Sequence, residues 1–272
     1  MSSSLRAGAA RGLRLSSQAL DRLRPPPPGT VVLLYHRVGG RTRVPVDIPS
    51  GAFADQIAAV AGQAVTLDRA LAEGDREPSG GGNRVVVTFD DGTADVVDVA
   101  LPILVEHGVT ALLYLATRFV EEGVDFPDDG RPASWAALAD GLSTGHLEIG
   151  SHTHGHALLD RIPPASIAPE LDRSIGLIQD RLGVDPVHFA YPKALLGSPA
   201  AQAAVRARFR SAAVAGTRPN PYGRLDPWRL ARSPIQDRDA GDGFARKVAG
   251  GLRLEDDVRR AVNRYRYRAA TT

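Results

Sequence analysis

Two adjacent carboxylates, Asp90 and Asp91, close the apolar run VVVTF (85–89), and three histidines, His152, His154 and His156, crowd into GSHTHGH (150–156). Neighbouring acids repel unless a cation neutralises one of them, which leaves the other as a base beside it. Histidines four residues apart share one face of a helical turn, with Cβ atoms roughly 5–6 Å apart, so His152 and His156 could grip one ion between them. With a carboxylate from a neighbouring strand end they make an Asp–His–His site with open water positions, suited to Zn²⁺ or another divalent transition metal. His154 then points elsewhere, as a solvated residue or one that supports the ligands. A purely structural reading stands beside this one, in which Asp90 and Asp91 only cap the helix that follows. In both readings Gly92 relieves crowding in the turn and Thr93 is suited to N-cap the helix that ends before Gly108.

Such groups need elements that carry distant segments to one edge. Short β-branched or apolar runs at 31–35, 85–89, 111–117, 147–151, 188–192, 211–216 and 230–235 alternate with helical patterns near 52–61, 94–107, 134–143, 165–182, 198–209 and 243–265. Strands apolar on both faces and separated by helices predict a parallel sheet buried on both sides. About seven of them in an α/β chain indicate a distorted or incomplete (β/α) barrel, although an open doubly wound sheet shares the local pattern. In either architecture catalytic groups collect at the C-terminal strand ends. That edge then holds Asp90 and Asp91, the three histidines, Tyr191 with Lys193, and His36. The stretches REPSGGGNR (76–84) and VDFPDDGRP (124–132) read as connecting loops.

With 272 residues, 43% of them hydrophobic and 24% charged, the chain suits one large domain with a tail at each end. The divisions fall at 1–29, a basic helix and proline-rich linker, 30–240, the catalytic domain, and 241–272, a helical extension. A net charge of +2 does not point to nucleic acid. The absence of cysteine means that any metal is held by His, Asp or Glu. No run resembles a secretory core or a membrane span, which predicts a cytoplasmic protein. Arg6, Arg11, Arg14, Arg22 and Arg24 stand against only Asp21 among leucines of the first segment, which reads as a solvated helix or as a peripheral contact with an anionic membrane. Pro25 to Pro28 form a stiff spacer after it.

In order, TFDDG (88–92), HTHGH (152–156) and FAYP (189–192) resemble the first three motifs of the polysaccharide deacetylases, carbohydrate esterase family 4. LLYHRV (33–38) and FADQIAAVAGQAVTLDRALA (53–72) look like the leading segments of its bacterial subgroup, and the likeness spans about residues 31–235. The resemblance implies a distorted (β/α) barrel and metal-dependent hydrolysis of an N-acetyl, or less often O-acetyl, group on a sugar. It makes Asp91, His152 and His156 the ligands of a divalent ion, zinc before cobalt, nickel or manganese, and Asp90 the base that takes a proton from the attacking water. It also puts the Tyr191 backbone N–H against the oxyanion.

RLDPWRLARSPI (224–235) resembles the subgroup's final motif, so Arg232 is expected to orient Asp90, or else to lie on the surface, and Trp228 to wall the acetyl pocket or to sit in the core. Two features depart from the pattern. Lys193 follows FAYP where an aromatic residue and glycine are usual, and no histidine follows His188 to protonate the departing amine. Asp90 or His36 is left for that proton; His36 also reads as a buried group at the barrel mouth, and His188 as packing beside its strand. The expected partner is an acetylated sugar or glycan precursor. Alternatives are a deformylase acting on a lipid-linked aminosugar and a carbohydrate-binding pseudoenzyme.

Overall fold

The computed structural model describes residues 12, 13, 16, 17 and 19–266. Its strands are β1 (Gly29–Tyr35), β2 (Arg37–Val38), β3 (Asp47–Ile48), β4 (Arg84–Asp91), β5 (Ala111–Leu115), β6 (Leu147–Ser151), β7 (His188–Ala190), β8 (Ser211–Ala215), β9 (Asn220–Pro221) and β10 (Leu230–Pro234). Seven of them, β1, β4, β5, β6, β7, β8 and β10, pair in parallel, and β10 returns to β1 through Val32 opposite Arg232, closing a barrel. That closure decides between the barrel and the open sheet. Small β9 pairs antiparallel to β1, with Asn220 opposite Thr30.

Alternation along each strand sorts the core into two layers. Val32, Val86, Leu112, Tyr114, Ala190, Ala213 and Leu230 form an inner cluster, completed by Leu67 and Ala70 of the helix Leu67–Ala72. Val31, Leu33, Val85, Val87, Phe89, Leu113 and Ile149 form the larger outer layer with Phe53 and Ile57 of the helix Ser50–Val60. Burying each such Val, Leu or Phe side chain stabilises the fold by roughly 1.5–3 kcal/mol.

Three local expectations change. The run 94–107 is a π-helical turn, Val96–Ala100, continued by Leu101–Glu106, and Thr93 does not cap it: its hydroxyl donates to His36 O at 3.4 Å. The run 243–265 is two helices, Asp242–Val248 and Arg253–Arg266, interrupted at Gly250, whose φ of 79° breaks the helix and where a Cβ would collide with the Pro219 ring. The loop 124–132 is held by Arg37, which donates to Asp128 O at 2.5 Å and to Pro127 O.

Of the N-terminal basic segment, Arg6, Arg11 and Arg14 lie outside the described residues. Its described part meets the residue just before the C-terminal helix, where Asp21 Oδ2 accepts from Leu252 N at 2.7 Å. No helix among the described residues is long and apolar enough to cross a membrane.

Gly150 of β6 is required by what packs on it. A Cβ there would stand 2.8 Å from both Tyr114 Cδ1 and His188 O. Gly150→Ala should therefore cost about 1–3 kcal/mol in chemical denaturation, the usual range for overpacking a core; an unchanged midpoint would show that Tyr114 can move freely.

Candidate metal and hydrolytic centre

All seven parallel strands point the same way, so the C-terminal ends of β1, β4, β6 and β7 open at one mouth. β4 runs to its last residue before turning: Asp90 is buried and faces the barrel axis, while Asp91 takes φ 77°. The turn after it depends on Gly92, with φ 108°, because a Cβ there would run into Leu115 Cδ1.

His152 follows β6 directly and is buried. His156 reaches the same point by a different route from the one the four-residue spacing suggests. The stretch between them is not helical; Thr153 and His156 adopt φ of 66° and 59°, and the turn folds the second ring back over the first, 5.0 Å apart at 58°. Non-glycine residues held in left-handed backbone cost on the order of 1–3 kcal/mol each and collect at functional sites.

His156 Nε2 lies 3.5 Å from Asp91 Oδ1, and His152 Nε2 lies 3.8 Å from the same oxygen. One ligand atom from each of Asp91, His152 and His156 falls within 4.8 Å of the others. A tetrahedral ion with bonds of about 2.0–2.1 Å spaces its ligands about 3.4 Å apart, so the three groups fit such a metal with little movement. The donor chemistry fits as well. His152 Nδ1 bonds to Ala190 O at 2.8 Å, which puts the proton on Nδ1 and leaves the Nε2 lone pair aimed at the centre. Burial keeps both rings neutral, as ligands must be: it lowers His152 and takes His156 down to about 3.

Asp90 is held differently. Arg232 Nη1 donates to its Oδ1 at 2.6 Å and Nη2 to its Oδ2 at 2.8 Å, a two-pronged bond between buried groups. Arg232 pairs with Val32 and Val32 with Val86, four residues before Asp90 in β4, so the guanidinium climbs past Thr88, whose Oγ1 is 3.4 Å from Nη1. It rests over the Tyr114 ring, 5.0 Å from the centroid. Burial alone would raise the Asp90 carboxyl; Arg232, with smaller contributions from His152 and His36, outweighs it and holds it at about 2. Burial likewise opposes ionisation of Asp91, but His156, His36 and His152 keep it below the usual carboxylate value.

Of the lesser candidates, His36 and Tyr191 follow strands at this mouth, whereas Trp228 precedes β10 at the opposite end, where Pro227 O accepts from Ala212 N at the start of β8. His36 directly follows β1, and its Nδ1 is buried with no hydrogen-bond partner among the described residues. The Tyr191 N–H donates to Ala213 O at 3.1 Å, so an oxyanion would have to share a bond the sheet already uses. Trp228 packs with Phe189, Tyr191 and Val205, under Arg206 at 4.9 Å from its ring. His154 turns outward to Thr117 and Arg173, and His188 lies at the other end of the barrel between Asp68 and Ser211. Tyr114 and the Ala190 carbonyl escaped the sequence reading: an apolar-looking strand residue and a backbone oxygen carry no local signal.

The profile of the family described as polysaccharide deacetylase matches residues 78–212. The structure described as IcaB from Ammonifex degensii is 26% identical, with a TM-score of 0.68 over 82% of this chain and 96% of that one. The Streptococcus pyogenes deacetylase PplD in complex with acetate shares the fold at 18% identity, with a TM-score of 0.70 over 82% of this chain and 99% of that one. Among curated proteins, the uncharacterised YlxY of Bacillus subtilis is 28% identical over 98 residues, 36% of this chain and about a quarter (27%) of its own length.

Proposed function

We propose, from the premise that the chain belongs to the polysaccharide deacetylase family through residues 78–212, that it removes the acetyl group from an N-acetylated sugar with the help of a divalent ion, zinc in the first instance. The observation that carries this reading is the convergence of Asp91, His152 and His156 on one point beside an Asp90 held by Arg232. We take 30–240 as the catalytic unit. Asp91, His152 and His156 would hold the ion, which when bound supplies Lewis acidity to the amide carbonyl and to the attacking water.

Asp90 is the proton acceptor. Its Oδ2 lies 3.7 Å from His152 Nε2, beside the ligand set, and Arg232 fixes the plane of the carboxylate. A carboxyl held at about 2 is a weak resting base, so the proton must leave the water as the C–O bond forms rather than beforehand. The C–N bond then breaks, acetate departs, and the amine nitrogen takes a proton from Asp90 or from His36.

The test is direct. Purified protein incubated with Zn²⁺ and N-acetylglucosamine oligomers should release acetate, lose that activity to a chelator and regain it when Zn²⁺ is restored. A preparation that binds zinc yet frees no acetate from any acetylated sugar would remove the proposal and favour a sugar-binding protein.

A further inference from the structure

The turn that presents both histidines is braced from outside the metal centre. Glu170 lies in the helix Pro164–Leu182, and its Oε1 accepts from Gly155 N, one residue before His156. Its main-chain carbonyl accepts from His154 N at 3.2 Å. Both bonds fall between the two ligand histidines. Gly155 leaves room for the carboxylate, since a Cβ there would stand 3.1 Å from Glu170 Oε1.

The other flank of the turn is tied to the helix Thr117–Glu122: Arg118 N donates to His154 O at 2.9 Å, and Thr117 Oγ1 meets His154 Nδ1 at 3.0 Å. Arg173, one turn beyond Glu170, donates to His154 Nε2 at 3.0 Å. A turn with left-handed Thr153 and His156 persists only where its surroundings over-determine it. Glu170 supplies the one side-chain acceptor on the Gly155 N–H, the peptide that leads directly into His156.

We infer that Glu170 is a positioning residue, whose carboxylate oxygen, through the Gly155 N–H, sets His156 Nε2 toward Asp91 and so pre-forms the ion site. This rests on the metal reading above but concerns how tightly the ion is held, not what is hydrolysed. What matters is an acceptor oxygen at the right reach, not the charge. Glu170→Gln keeps an oxygen at that reach without charge, whereas Glu170→Asp keeps the charge and withdraws the oxygen by one methylene.

The experiment measures Zn²⁺ affinity of the metal-free full chain by competition with a chromophoric chelator, alongside the thermal midpoint of each metal-free variant. Glu170→Asp and Glu170→Ala should bind Zn²⁺ about 10-fold or more weakly, within the 10–100-fold usual for groups that orient ligands, and Glu170→Gln within about threefold of the parent. The Asp and Gln variants should share the parent's metal-free midpoint, which separates orientation of the ligands from general stability. If Glu170→Ala fails to fold, the Gln and Asp pair decides. Parent-like affinity in Glu170→Asp, or a Glu170→Gln as weak as Glu170→Asp, overturns the inference. A parent chain that binds no zinc refutes the metal reading itself, and this inference with it.

Discussion

Asp90→Asn is expected to hold Zn²⁺ as the parent does while releasing acetate about 10²–10⁴-fold more slowly, the span that positioned acid–base groups contribute. The substitution preserves shape: an amide oxygen can still accept from Arg232 Nη1, which now reaches Oδ1 at 2.6 Å. What disappears is the negative charge and the capacity to take a proton. Asp91, His152 and His156, which would hold the ion, are untouched, so kcat should fall with metal affinity unchanged. Steady-state acetate release and a zinc titration on the same preparation check this. An unchanged kcat would assign the proton to another group, with His36 next in line because it follows β1 at the same mouth.

The second large effect concerns stability. Arg232→Met removes the guanidinium and leaves a carboxylate in the barrel with no cation bonded to it. Breaking one side of a buried pair costs about 3–5 kcal/mol, because the remaining charge keeps its desolvation penalty and loses its compensation. Met fills much of the aliphatic path beside Tyr114, so little of the loss is packing.

The pH dependence identifies the cause. In the parent, Asp90 is held at about 2, below the unfolded value of about 3.9, so its stabilisation is complete above that value and is lost as pH falls through the folded one. Without Arg232, burial is opposed only by weaker neighbours and the carboxyl titrates higher. Protonation then relieves the variant at a pH where the parent still carries its ion pair. The stability gap between metal-free parent and variant should accordingly be widest near pH 7 and narrower near pH 4 in urea unfolding. A gap independent of pH would mean that Arg232 acts through packing rather than through Asp90.

Parts of the site were readable from the chain because their signals are local. TFDDG and HTHGH name four side chains whose chemistry suits one ion and one base, and all four meet at one mouth. Arg232 could be singled out only by its place in a motif. The four-residue spacing of His152 and His156 implies a helical turn, whereas left-handed backbone at Thr153 and His156 brings the two rings together instead. Tyr114 beneath Arg232, and Glu170 behind Gly155, are ordinary residues in ordinary patterns until neighbouring elements arrive.

The sequence by itself determined the alternation of buried parallel strands with helices, the order in which their polar ends occur, and the side chains suited to hold an ion. Hydrophobic period and residue type are properties of a few consecutive positions, so no folding is needed to read them. Only the tertiary structure decided that the sheet closes, with β10 against β1, because closure depends on twist and register summed over seven strands. It also decided that Arg232, 142 residues from Asp90, is buried beneath it. That distance along the chain becomes a hydrogen bond only when the barrel shuts, and the electrostatics of Asp90 follow from it.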